Sequence, residues 1–276
     1  MLRSRASGDR ADAGPPFVDF HPLALTDQDS RHAPPGAARS RGEHKAGEAE
    51  GLQATNVRAQ PSVIGAYTGF TDHALRMLRD GGHFQWSTVT LLGLAIYVYA
   101  VEIERQRWDI VLGGLAFWLM DWFNEIVNSV VLHVTGRAAI WTVTGSTSYL
   151  ILIGLNVEIS LLFLFSGVAF VKQLPADRHL RLLGVPNRWA LVFGFSCFSV
   201  LVEILLHAVG VFHWEYWWWN VPFVPLIIVF GYMTFYGIAA WVYDMGTNHG
   251  RQLTVVGTLA AIDALGLIIF GAIGWL

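Results

Sequence analysis

One cysteine is all the thiol this chain has, Cys197, and it lies inside an apolar run. An intramolecular disulfide and a cysteine-based metal site are therefore excluded, which leaves Cys197 as a small core residue. Charge is nearly as scarce. Asp, Glu, Lys and Arg make up 14% of the 276 residues, against about 25% in a soluble domain. The formal net charge of −3 offers no basic surface to nucleic acid. The first 65 residues are poor in aromatics and in long apolar runs. They hold too little apolar surface to offset the entropy of ordering and lack the apolar core of a secretory signal, so a disordered tail is expected over 1–65.

Apolar sequence dominates the rest. The chain is 54% hydrophobic with a mean hydropathy of +0.44, and nearly all of its Trp, Phe, Leu and Ile fall in residues 84–276. Six stretches there approach the 20 or so apolar residues needed to cross a hydrocarbon core. They are about Phe84–Ile103, Trp108–Thr135, Ser148–Val171, Trp189–Phe212, Asn220–Tyr243 and Gln252–Trp275. Ahead of them, 66–82 reads as an interfacial amphipathic helix with Phe70, Ala74, Met77 and Leu78 on one face, ended by Gly81-Gly82. Two connections stand out, the small, polar and aromatic stretch Gly136–Thr147 and the aromatic stretch His213–Asn220. The run Trp217, Trp218, Trp219 reads as an aromatic belt at headgroup level.

Basic residues follow spans one, three and five (Arg105, Arg107, Lys172, Arg178, Arg181, Arg188 and Arg251). By the positive-inside rule that side is cytoplasmic and both termini are outside, while Arg76, Arg79 and Arg137 lie on the opposite side and the basic residues of the far N-terminal tail favour the reverse orientation.

The informative feature is what the apolar stretches carry. Asp121, Glu125, Glu158, Glu203 and Asp263 all fall within them, and no Lys or Arg lies deep in any span. Intramembrane carboxylates are costly and face a bundle interior or a water-filled cavity. Asp121, Glu125 and Asn128 share one helix face over about 10 Å, at spacings i, i+4 and i+7. Glu203 and His207 share another at i, i+4, while Asn156 and Glu158 point in different directions. Two acids one turn apart in low dielectric do not both stay charged, so one keeps a proton or a cation compensates them.

Four readings follow. Asp121, Glu125, Glu203 and His207 would be the ligands of a metal ion, if one is present. A protonated carboxyl in an apolar pocket is a general acid for an alkene or an alcohol leaving group. Rings such as Trp118, Trp122, Trp141, Trp214, Tyr216, Tyr232 and Tyr236 would face the carbocation formed. The same acids suit a proton-coupled or cation transporter, with the Pro-bearing fifth span as a discontinuous helix. Finally, interhelical hydrogen bonds alone would make the chain a non-catalytic subunit of a larger membrane complex.

The stretch 203–232 resembles the carotenoid-type membrane cyclases and hydratases at Glu203, Gly210, Trp214, Tyr216, Pro222 and Pro225. The resemblance implies acidic residues acting on the double bonds of a long isoprenoid. The order Glu125, Gly136, Trp141, Tyr149 in the first half echoes this stretch and points to a duplicated core.

The sequence thus predicts an all-α, polytopic, six-span membrane bundle. Its expected activity is acid catalysis on an isoprenoid-like lipid in a bacterial-type plasma membrane. Glu203 and Glu125 are the expected acid and base, tuned by Asp121 and His207. Trp214, Tyr216, Asn128, Glu158 and Trp141 are the expected substrate contacts. The expected partners are membrane lipid and a hydrophobic small molecule, and the reading needs no cofactor.

Overall fold

Thr68 accepts the Thr71 N–H at 3.2 Å and so starts helix α1, Gly69–Met77. The computed structural model describes residues 67–276, and the tail expected over 1–65 lies outside the described residues. Helix α1 is shorter than the interfacial segment read from 66–82. Leu78 turns extended instead, and the Arg79 N–H bonds to the Leu150 carbonyl at 2.9 Å.

Helices α2 (Trp86–Glu104) and α3 (Trp108–Thr135) follow the first two apolar runs. At 28 residues α3 is about 42 Å long. Its packed partners are helix α4 (Val157–Val171), helix α6 (Val221–Tyr243) and helix α7 (His249–Ala272), so it forms the middle of the bundle. The α3–α4 crossing is close. A Cβ on Gly167 would lie 2.7 Å from the Gly114 carbonyl oxygen and 2.8 Å from Phe117 Cβ. Small residues at such a crossing let two backbones approach where no hydrophobic force acts between apolar helices.

Helix α5 (Asn187–Ala208) is peripheral. It leans on α6, stands apart from α4 along most of its length, and exposes Phe193, Phe198, Leu201 and Leu205. Five helices (α2, α3, α5, α6, α7) are long and apolar enough to cross a membrane, and α4 is an apolar helix of 15 residues. The bundle thus has the six expected membrane-type helices, one of them short.

The shortness of α4 corrects the third expected span. Residues 148–156 do not join the helix. Strands β2 (Leu150–Leu152) and β3 (Leu155–Asn156) form a hairpin, and Asn156 then caps α4 by accepting the Ile159 N–H at 2.7 Å. Before this hairpin runs β1 (Trp141–Val143). At the other end of the bundle β4 (Arg181–Leu182) and β5 (Val185–Pro186) form a hairpin leading into α5. After α5 comes β6 (Phe212–Trp214), antiparallel to β1, with Trp141 opposite Trp214, Thr142 opposite His213 and Val143 opposite Phe212. The two conspicuous connections of the sequence are therefore partners.

Helix α6 changes register along its length. A 3-10 turn at Val221–Phe223 and an α turn at Val224–Leu226 hold Pro222 and Pro225, where missing N–H donors are tolerated. A π segment, Ile227–Tyr232, then precedes a regular helix, Met233–Tyr243. At the end of the bundle that carries β4 and β5, Lys172 donates to the buried Glu102 carboxylate. There Arg188 also grips Asp244, with Nε at 3.0 Å from both oxygens.

Candidate functional site

Three of the intramembrane carboxylates meet around one cavity of about 820 Å³. Asp121 and Glu125 reach it from α3 and Glu203 from α5, while α4 and α6 supply aromatic and aliphatic walls that include Phe163, Tyr232 and Tyr236. Asn124, which borders the α3 stripe in sequence, lines it too. No Lys, Arg or His is among the lining residues.

Each carboxylate has a different environment. Oε1 of Glu125 accepts the Trp141 Nε1–H at 2.9 Å, and Oε2 is buried with no protein partner. The Trp141 ring lies 6.0 Å from that of Trp219 in a stacked arrangement. Its position depends on Asn128, whose side chain accepts the N–H groups of Ile140 (2.7 Å) and Trp141 (3.2 Å) and donates to the Trp141 carbonyl (2.9 Å). Across the indole, Gly154 leaves the necessary room, since a Cβ there would come within 2.5 Å of the ring.

Glu203 accepts the Tyr232 hydroxyl at 2.8 Å. Tyr232 is the last residue of the π segment, a distortion that often marks functional sites. Asp121 has Glu125, Asp263 and Glu203 as its charged neighbours, and its Oδ2 is buried without a partner. Asp263, from α7, is buried with both oxygens unpartnered and lies behind the cavity wall rather than on it.

The other expected site residues go elsewhere. His207 holds the Phe212 carbonyl at 3.2 Å through Nδ1 and stacks on Trp214 at 5.2 Å, so it backs the wall and is not among the lining residues. Trp214 is buried beside Glu203, and its Nε1 has no hydrogen-bond partner. Tyr216 donates to the Ala138 carbonyl at 2.9 Å and staples the loop after α3. Glu158 is not in the interior. It sits in the first turn of α4 and accepts the Ser148 N–H (2.9 Å), the Thr88 hydroxyl (2.7 Å) and the Thr147 hydroxyl, as suits a carboxylate at the positive end of a helix. Among the described residues no group of three or more His, Cys, Asp and Glu is arranged to hold a metal ion. The set Asp121, Glu125, Glu203 and His207 is therefore not assembled as ligands.

Three features of the site differ from, or go beyond, what the sequence indicates. Trp218 and Trp219, taken as belt residues, line the cavity, and Trp219 is 9% exposed, whereas Trp217 is 73% exposed. A hydroxyl pair, Ser199 and Tyr236 at 2.8 Å, sits on the wall. Glu215 accepts the hydroxyls of the buried Thr71 and Thr142, each at 3.1 Å, and so fastens α1 and β1 to the loop after β6. Nothing in adjacent Trp residues or scattered Thr residues signals which of them turn inward.

The comparisons add a family. The match to the model of an uncharacterized membrane protein family covers residues 68–272. An uncharacterized protein of Archaeoglobus fulgidus is 48% identical over 212 residues, which is 76% of this chain and 99% of that protein. A second uncharacterized protein of the same organism is 39% identical over 57 residues, 20% of this chain and all of the relative. No solved structure matches the chain.

Proposed function

We propose that this chain, which belongs to that uncharacterized membrane protein family, is a membrane-embedded enzyme that acts on a hydrophobic, isoprenoid-like lipid by acid catalysis. The observation that carries the reading is the convergence of Glu203, Glu125 and Asp121 on one aromatic-walled cavity that has no basic residue in its lining. Uncompensated carboxylates in such a place hold protons, and a protonated carboxyl beside an alkene or an alcohol oxygen is a general acid.

Glu203 and Glu125 then divide the work. One gives its proton to a double-bond carbon or to a leaving hydroxyl, and the other, as carboxylate, takes a proton from a neighbouring carbon or from water. Tyr232 fixes the rotamer of Glu203 and Trp141 that of Glu125. Asp121, one turn before Glu125 on α3, has both acids as charged neighbours and shares the cavity with them. Phe163 and Trp141 line the cavity, where aromatic rings stabilise a developing cation. His207 acts only through Trp214, as a positioning residue. The reading needs no cofactor, and its proposed setting is a bacterial-type plasma membrane.

The test is turnover by the purified protein in lipid vesicles, with products identified by mass spectrometry. Glu203→Gln and Glu125→Gln are each expected to lower the rate by about 10²–10⁴-fold, the usual worth of a general acid or base, while the protein still inserts and folds. Full activity in both variants would sink the proposal. Dissipation of a pH gradient with no chemical product would replace it with transport.

A further inference from the structure

The two helices joined by the β4–β5 hairpin touch through the rings of Phe170 and Phe195, 5.2 Å apart, and otherwise stand apart. α4 packs on α2, α3 and α6, and α5 packs on α6, which leaves a cleft between α4 and α5. The cavity runs along this cleft. Its lining on α4 extends from Ile159 to Phe170, about 16 Å at the rise of a helix, and continues to Gln173 at the end that bears β4 and β5. On α5 it extends from Leu206 past Glu203 and Ser199 to Phe195. The residues at the edges of the cleft, Leu162 and Ala169 on α4 and Phe198 and Val202 on α5, are all exposed on the apolar flank of the bundle. The cavity therefore opens sideways into hydrocarbon, with the acids near one end of a long slot rather than at the bottom of a round pocket.

We infer that the substrate is a linear-chain lipid taken up sideways from the bilayer through the α4–α5 cleft, lying along α4 with its reacting end at Glu203 and its other end toward Gln173. The slot is long, its wall is apolar, and the phase it opens to contains lipid chains. A compact ring system would leave the lower part, at Ala169 and Gln173, unfilled. A chain that comes from hydrocarbon gains no hydrophobic transfer energy, but each further stretch adds packing contacts with a preformed wall, so affinity rises with chain length. The choice of Glu203 as the reacting end rests on the acid-catalysis reading; the slot and its lateral mouth do not.

The experiment measures binding without chemistry, in the Glu203→Gln protein in phosphatidylcholine vesicles. The readout is displacement of the fluorescent tetraene parinaric acid by geraniol, farnesol and geranylgeraniol. Affinity is expected to rise through that series. Ala169→Trp, which fills the lower slot far from the acids, is expected to weaken geranylgeraniol by about tenfold and leave geraniol unchanged. Leu253→Trp, on the exposed face of α7, is expected to change neither. In a second protein, Cys197→Ser with Leu162→Cys and Val202→Cys, a thiol cross-linker across the mouth is expected to slow uptake, and reduction to restore it. A chain-length profile that Ala169→Trp does not alter, or uptake at the same rate with the mouth bridged, would overturn the inference. Full turnover in both Glu203→Gln and Glu125→Gln would instead remove the acid-catalysis reading and leave the slot standing.

Discussion

Trp141 and Glu125 are joined by an indole N–H to carboxylate bond of 2.9 Å that ties a strand at the rim of the bundle to an acid inside it. The bond matters because the other oxygen of Glu125 has no partner. Trp141→Phe keeps the ring and removes the donor. The expected results are a stability loss of about 1–3 kcal/mol, the cost of a buried group left unsatisfied, and slower turnover. Thermal unfolding in detergent alongside the rate checks both. A variant as stable and as fast as the parent would show that the bond does nothing.

Asn128 acts on the same acid from one step away, since it makes three hydrogen bonds to the backbone that carries Trp141. Asn128→Ala is expected to cost about 3 kcal/mol on the same grounds. Combined with Trp141→Phe, its effect on rate is expected to be smaller than the product of the two single effects, because both misplace one indole. Strict additivity in that cycle would separate the two residues.

The Glu102–Lys172 pair makes a prediction about partners rather than sites. Glu102 is 1% exposed and Lys172 is its cation. Lys172→Met is expected to destabilise by about 2–3 kcal/mol, less than a fully buried pair would lose because the lysine end is partly in solvent. Adding Glu102→Leu is expected to recover most of that loss. Melting curves of the single and double variants decide it, and a double variant worse than the single would count against the pairing.

His213 supplies a pH dependence outside the spans. It stacks on Phe70 at 3.6 Å, and burial first, then the neighbouring His207, hold its imidazole below the ordinary value of 6.5. The Gly210 backbone and Glu215 also face it and pull the other way. Below the ordinary value the unfolded chain binds a proton that the folded chain resists, so stability falls as pH drops through about 6.5 and levels off once the folded imidazole is protonated. His213→Phe is expected to remove that part of the acid loss while keeping the stack on Phe70. Equal pH slopes for parent and variant melting temperatures would show that another group is responsible.

The helices were legible because apolar length is a strong signal. The expected second span, Trp108–Thr135, coincides with α3, and the others start or stop within a few residues of the observed helices. The third failed at its start because Leu150–Leu155 is an apolar run that reads alike as buried strand and as helix, and only the Ile153-Gly154 turn hints at a hairpin. Acids within apolar runs were equally visible, and the spacing of Asp121 and Glu125 put both on the face that lines the cavity. Spacing did not say what competes for each residue. His207 lies one turn from Glu203, yet the Phe212 carbonyl and the Trp214 ring claim it. Glu158 looked intramembrane until Ser148 and Thr88 turned out to be folded back onto the start of α4.

The pairing of β1 with β6 imposes an order on synthesis. Trp141 leaves the ribosome long before Trp214, and α4, the β4–β5 hairpin and α5 must all be made before the strand opposite it exists. Until then the loop that brings the indole to Glu125 has no β partner, and the carboxylates of α3 wait in the membrane without the wall that α6 later provides. A chain arrested before residue 212 would carry most of its helices and still lack a finished interior.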